Sequence, residues 1–157
     1  MSAIKVIGIG SPFGNDSLGW QVIDRLKQQN IQGTRWPEQI DLIEADRPGI
    51  NLIQLLQDAE VVILVDAIHD EPRQGQVIRL DKTQLLNSQH NLSSHSLDVA
   101  SALALAEKLQ LLPKTIVVLG LGIDPGRAEP LNTTAIHKLT AVIVSELETY
   151  ISQPSPS

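Results

Sequence analysis

The sequence predicts an α/β fold: a three-layer α-β-α sandwich around a mostly parallel sheet of about five strands, one of them antiparallel. Three observations predict it. Short β-branched apolar runs alternate with segments whose apolar residues recur at helical spacing. The resulting order, β-α-β-α-β-β-α-β-α, is that of helices covering both faces of a parallel sheet. The third and fourth runs are separated only by the turn-rich HDEPRQG, too short for a crossover helix, so these two strands should pair antiparallel.

Ala3 to Gly8 (AIKVIG) is apolar and β-branched and ends at glycine, as a buried strand does. Leu18, Val22, Ile23 and Leu26 follow at helical spacing, with polar residues between them. Gln39 to Ala45 (QIDLIEA) alternates as a strand, and Pro48-Gly49 breaks it. Ile50, Ile53, Leu55 and Leu56 suggest a short helix. Val61 to Val65 (VVILV) is the most strand-like run and ends at Asp66; Gln76 to Leu80 (QVIRL) is the next. An Ala/Leu-rich helix is expected from about Leu97 to Leu112, stopped by Pro113. Ile116 to Leu121 (IVVLGL) is a strand, and Ile136, Leu139, Ile143, Leu147 and Tyr150 mark a last amphipathic helix.

A chain of 157 residues that is 42% hydrophobic and 19% charged has enough apolar material for a core and is too apolar for disorder. One domain is expected over residues 1–152, with residues 153–157 as a disordered tail. There is no cysteine, which excludes disulfides, thiolate metal sites and cysteine nucleophiles. The net charge is −6 and no basic face is visible, which argues against nucleic acid as a partner. No apolar run reaches the roughly 18 residues of a membrane span, and the start of the chain does not read as a signal peptide. A cytoplasmic monomer is the expectation.

Ligands of such sheets bind beyond the carboxyl ends of the strands. That places the loop of residues 10–17, Glu44 with Asp46, Asp66 with His69, and residues 123–130 on one rim. The stretch GIGSPFGNDSLGW, residues 8–20, allows three readings there. As a dinucleotide fingerprint it has Gly8 and Gly10, but Phe13 stands where the third glycine belongs, and Pro12 removes an amide. As an esterase turn, Asp16-Ser17-Leu18 resembles the Gly-Asp-Ser-Leu turn of a lipase and esterase superfamily, with Ser17 as nucleophile. However, Asn15 replaces the glycine, and His137 lacks an Asp three residues before it.

The third reading is a metal-facing loop. Asp16 and Asp66 end adjacent rim loops, and His95 follows Ser93-Ser94 at the expected start of the Ala/Leu helix. Two carboxylates and one imidazole suit a borderline divalent ion with open positions. Each residue also has a plainer account. Asp16 would cap the first helix, Asp66 would be a strand-end turn residue, and His95 a capping or surface histidine. Asp66 is the least ordinary of the three, because an ionised carboxylate directly after VVILV is costly unless paired. His69 reads as a loop residue, and His90 and His137 as solvent-facing.

The ordered series GIGSPFGNDSLG, VVILVDAI, QGQVIRL, SSHSLDVA and VVLGLGIDP resembles the nickel–iron hydrogenase maturation endopeptidases, from residue 4 to about residue 147. The resemblance implies a twisted sheet between helical layers. It also implies an endopeptidase that removes a C-terminal extension from the hydrogenase large subunit once nickel has been inserted. The partner would be the nickel-loaded large-subunit precursor. No tightly bound cofactor of its own is implied, only contact with nickel carried by the substrate. The family's metal-contacting set falls on Asp16, Asp66 and His95, which become both the catalytic and the metal residues. Three departures stand out: Gly10-Ser11 where many members have Gly-Asn, a single acid at Asp16 where many have two, and Glu44 to Gly49 in place of an Asp-Gly-Gly turn.

Overall fold

The computed structural model describes residues 4–10, 17–29, 40–86, 91–92, 96–124 and 132–151. The strands are β1 (Ile4–Gly10), β2 (Ile40–Asp46), β3 (Val61–His69), β4 (Val77–Leu80), β5 (Asn91–Leu92) and β6 (Thr115–Ile123). The helices are α1 (Leu18–Gln29), α2 (Leu52–Leu55), α3 (Lys82–Leu86), α4 (Ser96–Lys108) and α5 (Thr133–Ile151). A 3-10 turn, Gly49–Asn51, leads into α2.

The sheet runs β2-β1-β3-β6-β4, and the two-residue β5 lies off this path against β3. All pairs along the path are parallel except β4 with β6. The expected architecture is present, with one correction. β4 points opposite to β3, as the short connection requires, but it pairs with β6 and not with β3. The connection steps over the end of β6. Gly75 donates to the Gly122 carbonyl at 2.9 Å, and Gly122 donates to the Gln76 carbonyl at 3.0 Å. A side chain at Gly122 would begin 2.2 Å from the Arg73 carbonyl oxygen, so the crossing requires glycine there.

Strand periodicity divides the core in two. Ile63 and Val65 of β3, with Val117, Leu119 and Leu121 of β6, face α1 and α5. Val62, Leu64 and Ile68, with Ile116 and Val118, face α2 and α4. Each fully buried Leu, Ile or Val contributes about 1.5–3 kcal/mol of transfer free energy. The runs VVILV and IVVLGL are buried on both faces, which is why they read as continuous and not alternating. Lys5 is the exception within β1, and its ammonium is used: Nζ donates to the Leu55 and Gln57 carbonyls at 3.0 and 2.6 Å, at the end of α2.

Several element bounds differ from expectation for physical reasons. β3 continues through Asp66 to His69, so both lie in a strand and not in a loop. The five-residue α3 begins with a reciprocal cap, Gln84 N–H to Asp81 Oδ1 and Asp81 N–H to Gln84 Oε1, both 2.9 Å. Helix α4 stops at Lys108, four residues short of expectation. Its end is a Schellman turn, with Leu111 N–H on the Ala106 carbonyl at 2.8 Å and Gln110 at φ 58°. A non-glycine residue in that conformation costs about 1 kcal/mol. Gln110→Gly is therefore expected to raise the thermal midpoint by about 2–4 °C in a circular dichroism melt.

Candidate active site

The strand order reverses between β1 and β3, and the two strands part there. Their pairing runs from Ile4 opposite Val61 to Gly8 opposite Val65 and ends. Beyond it β1 follows β2, to Gly10 opposite Asp46, while β3 follows β6, to His69 opposite Ile123. A crevice outside the carboxyl ends of the strands, at such a switch point, is where sheets of this kind bind ligands.

Asp66 is the first residue of β3 past the parting. By its place in the strand it shares a face with Val62, Leu64 and Ile68, the face covered by α4. It is 2% exposed, and Asp66 and Thr140 are the buried polar side chains among the described residues. Its Oδ1 accepts the Ala67 N–H at 2.8 Å. Gly120 lies opposite it on β6, and a methyl group there would begin 2.0 Å from the Asp66 carbonyl oxygen. The backbone around Asp66 is therefore set by close approach on that side.

Helix α1 packs over the parting of β1 and β3. A Cβ at Gly19 would meet the Ile9 carbonyl oxygen at 2.4 Å and the Val65 carbonyl oxygen at 2.7 Å; one at Gly8 would meet the Gly19 carbonyl oxygen at 2.3 Å. These two glycines serve helix-to-sheet contact and not phosphate binding. Trp20 Nε1 donates to the Ala45 carbonyl at 3.1 Å, and Arg47 N–H donates to the Gly10 carbonyl at 3.0 Å, so the ends of β1, β2 and α1 hold one another. Ser17 precedes α1, and its hydroxyl accepts the Gln21 amide at 2.8 Å.

The Asp66 side of the sheet is covered by the layer of α4. β5 pairs Leu92 with Ile68 and Asn91 with His69, and α4 begins at Ser96. The turn Gly49–Asn51 packs against α4 and leaves Ile50 64% exposed. Glu44 and Asp46 are exposed at the end of β2. Asp46 pairs with Arg47 at 2.8 Å, a hydrogen bond that raises the guanidinium pKa above its ordinary value. Half-buried His69 ends β3, and Asp70 beside it is held by Arg73 at 2.6 Å.

Of the three residues expected to form the site, Asp66 is therefore placed at the switch-point crevice. Asp16 and His95 lie outside the described residues, as does His90. Near Asp66 the described residues place Gly19 of α1 against the Val65 carbonyl, and Leu92 opposite Ile68. Among the described residues, no three His, Cys, Asp or Glu side chains converge as a metal site. Exposed His137 contacts Arg25. Gly19 was not singled out from the sequence, although a glycine inside a helix costs about 1 kcal/mol and so signals a packing demand.

Comparison with known proteins bears on this geometry. The family described as hydrogenase maturation protease matches residues 21–152. A protein of Methanocaldococcus jannaschii, named as a candidate hydrogenase maturation protease, is 26% identical over 92% of this chain and 96% of its own. The solved hydrogenase maturating endopeptidase HybD of E. coli superposes with a TM-score of 0.73 at 21% identity, covering 96% of this chain and 94% of that one. The [NiFe] hydrogenase maturation protease HycI of Thermococcus kodakarensis superposes with a TM-score of 0.57 at 22% identity, covering 94% and 91%. The structural likenesses bear out the fold.

Proposed function

Because the chain belongs to the hydrogenase maturation protease family, we propose that it is the endopeptidase that removes the C-terminal extension of a nickel–iron hydrogenase large subunit after nickel insertion. The nickel arrives with the substrate and serves as the recognition element. Asp16, Asp66 and His95 contact it from one open side, and a carboxylate of this set acts as general base toward the attacking water. A metal beside the scissile carbonyl supplies Lewis-acid polarisation. We take the active form to be a cytoplasmic monomer, one domain over residues 1–152, with no resident cofactor.

One observation carries the reading: a buried carboxylate, Asp66, stands at the switch-point crevice, where an apolar residue would otherwise continue the core. A carboxylate at that position is of the charge type that a substrate-borne cation would pair with. No helix among the described residues is long and apolar enough to cross a membrane, which suits a partner met in solution. Family membership supports a peptidase over the esterase reading of Ser17.

The test uses purified protein and the large-subunit precursor in nickel-loaded and nickel-free forms, read by intact mass. Shortening of the loaded form only is the expected result. Shortening of neither form rejects the peptidase reading, and stable binding of the loaded form without shortening would identify a non-catalytic chaperone. Equal shortening of both forms rejects nickel as the recognition element.

A further inference from the structure

On the opposite face of the sheet from Asp66, helices α1 and α5 leave an open groove of about 540 Å³. Its walls are stripes at helical spacing: Arg25 and Gln28 on α1, and His137, Thr140, Ala141 and Val144 on α5. Three other arginines among the described residues are each paired with a carboxylate: Arg47 with Asp46, Arg73 with Asp70, and Arg79 with Glu146. Arg25 is different. Its guanidinium contacts His137 Nε2 at 2.5 Å, and none of the described carboxylates pairs with it.

A guanidinium fork that spends one donor on a ring nitrogen retains donors in the geometry that suits a carboxylate. No acidic residue is among those lining the groove, and Asp24, one turn before Gln28 on α1, is held by the Gln28 amide at 3.1 Å. Ala141 and Val144 give the groove an apolar strip beside that charge. The groove is open along the helices and does not enclose a ligand as small-molecule pockets do. These features fit an extended segment carrying one acidic side chain next to small apolar ones.

We propose that the α1–α5 groove is an exosite for an acidic peptide segment, with Arg25 receiving its carboxylate. That the segment belongs to the precursor rests on the proposed function; the carboxylate preference does not.

The test has two arms. In the first, 15N NMR follows the Arg25 Nε–H and the α5 amides during titration with the blocked pentapeptide Ala-Val-Glu-Val-Ala and its Gln counterpart. Saturable shifts are expected with the Glu peptide, and roughly tenfold weaker binding for the Gln peptide and for Arg25→Gln, the effect of one charge-assisted contact. Equal affinity for both peptides, or no change in Arg25→Gln, overturns the proposal. In the second arm, Arg25→Gln is expected to raise KM for the precursor about tenfold with kcat unchanged, and an unchanged KM overturns the assignment of the precursor to the groove. If the wild-type protein does not process the precursor, the proposed function fails, and the peptide arm alone decides the groove.

Discussion

Asp66→Asn is expected to lower the rate of precursor shortening by about a thousandfold, within the range that loss of a general acid or base produces. The substitution separates chemistry from folding. Asparagine keeps an oxygen for the Ala67 N–H, which now donates to Asp66 Oδ1 at 2.8 Å, so the local backbone contact survives. What is lost is the carboxyl group's capacity to carry a negative charge, the property needed to face a cation or accept a proton. The melting midpoint should stay within a few degrees of wild type, since asparagine is nearly isosteric with aspartate and keeps that contact. Asp16→Asn and His95→Ala should lower the rate comparably if the three act together. A thermal melt and an intact-mass time course on the same samples decide the matter. Processing by Asp66→Asn within about threefold of wild type would count against any chemical role for this carboxylate.

Gly19→Ala carries the largest expected effect on stability. The added methyl group would begin 2.4 Å from the Ile9 carbonyl oxygen, 2.7 Å from the Ile9 nitrogen and 2.7 Å from the Val65 carbonyl oxygen. All three are backbone atoms of the sheet, so no rotamer change relieves the contact. The helix must move away from β1 and β3. Overpacking of this kind costs about 3 kcal/mol, near the upper end of its usual range. For a chain of this length that corresponds to a midpoint lowered by about 6–12 °C. Alanine has the better intrinsic helix propensity by about 1 kcal/mol, so a rise in midpoint would show that α1 does not pack as described.

These residues show how far the sequence was legible. VVILV and IVVLGL announced the central strands because burial on both faces leaves no polar alternation to interpret. Asp66 was readable as unusual for the same reason: it interrupts a run that everything around it continues. That the strand itself runs on to His69 was not readable, since an acidic residue ordinarily ends such a run. The partner of β4 was hidden because strand alternation identifies a face but not a neighbour. The deciding event, a connection stepping over Gly122, is a contact between distant parts of the chain. β5 has two residues within a polar stretch, too few to make a pattern. The end of α4 was misplaced because Gln110 takes the conformation usually given to glycine. The carboxylate of the expected triad on β3 stands at the crevice, while Asp16 and His95 fall outside the described residues.

The position of Asp66 on a strand bonded through β6 on one side and leading from β1 on the other has a consequence for durability. Reactive groups carried on loops can drift out of alignment long before a protein melts. A group rooted in the middle strand is displaced only when the strand is, and middle strands open last. Heat should therefore displace this carboxylate only when β3 itself opens.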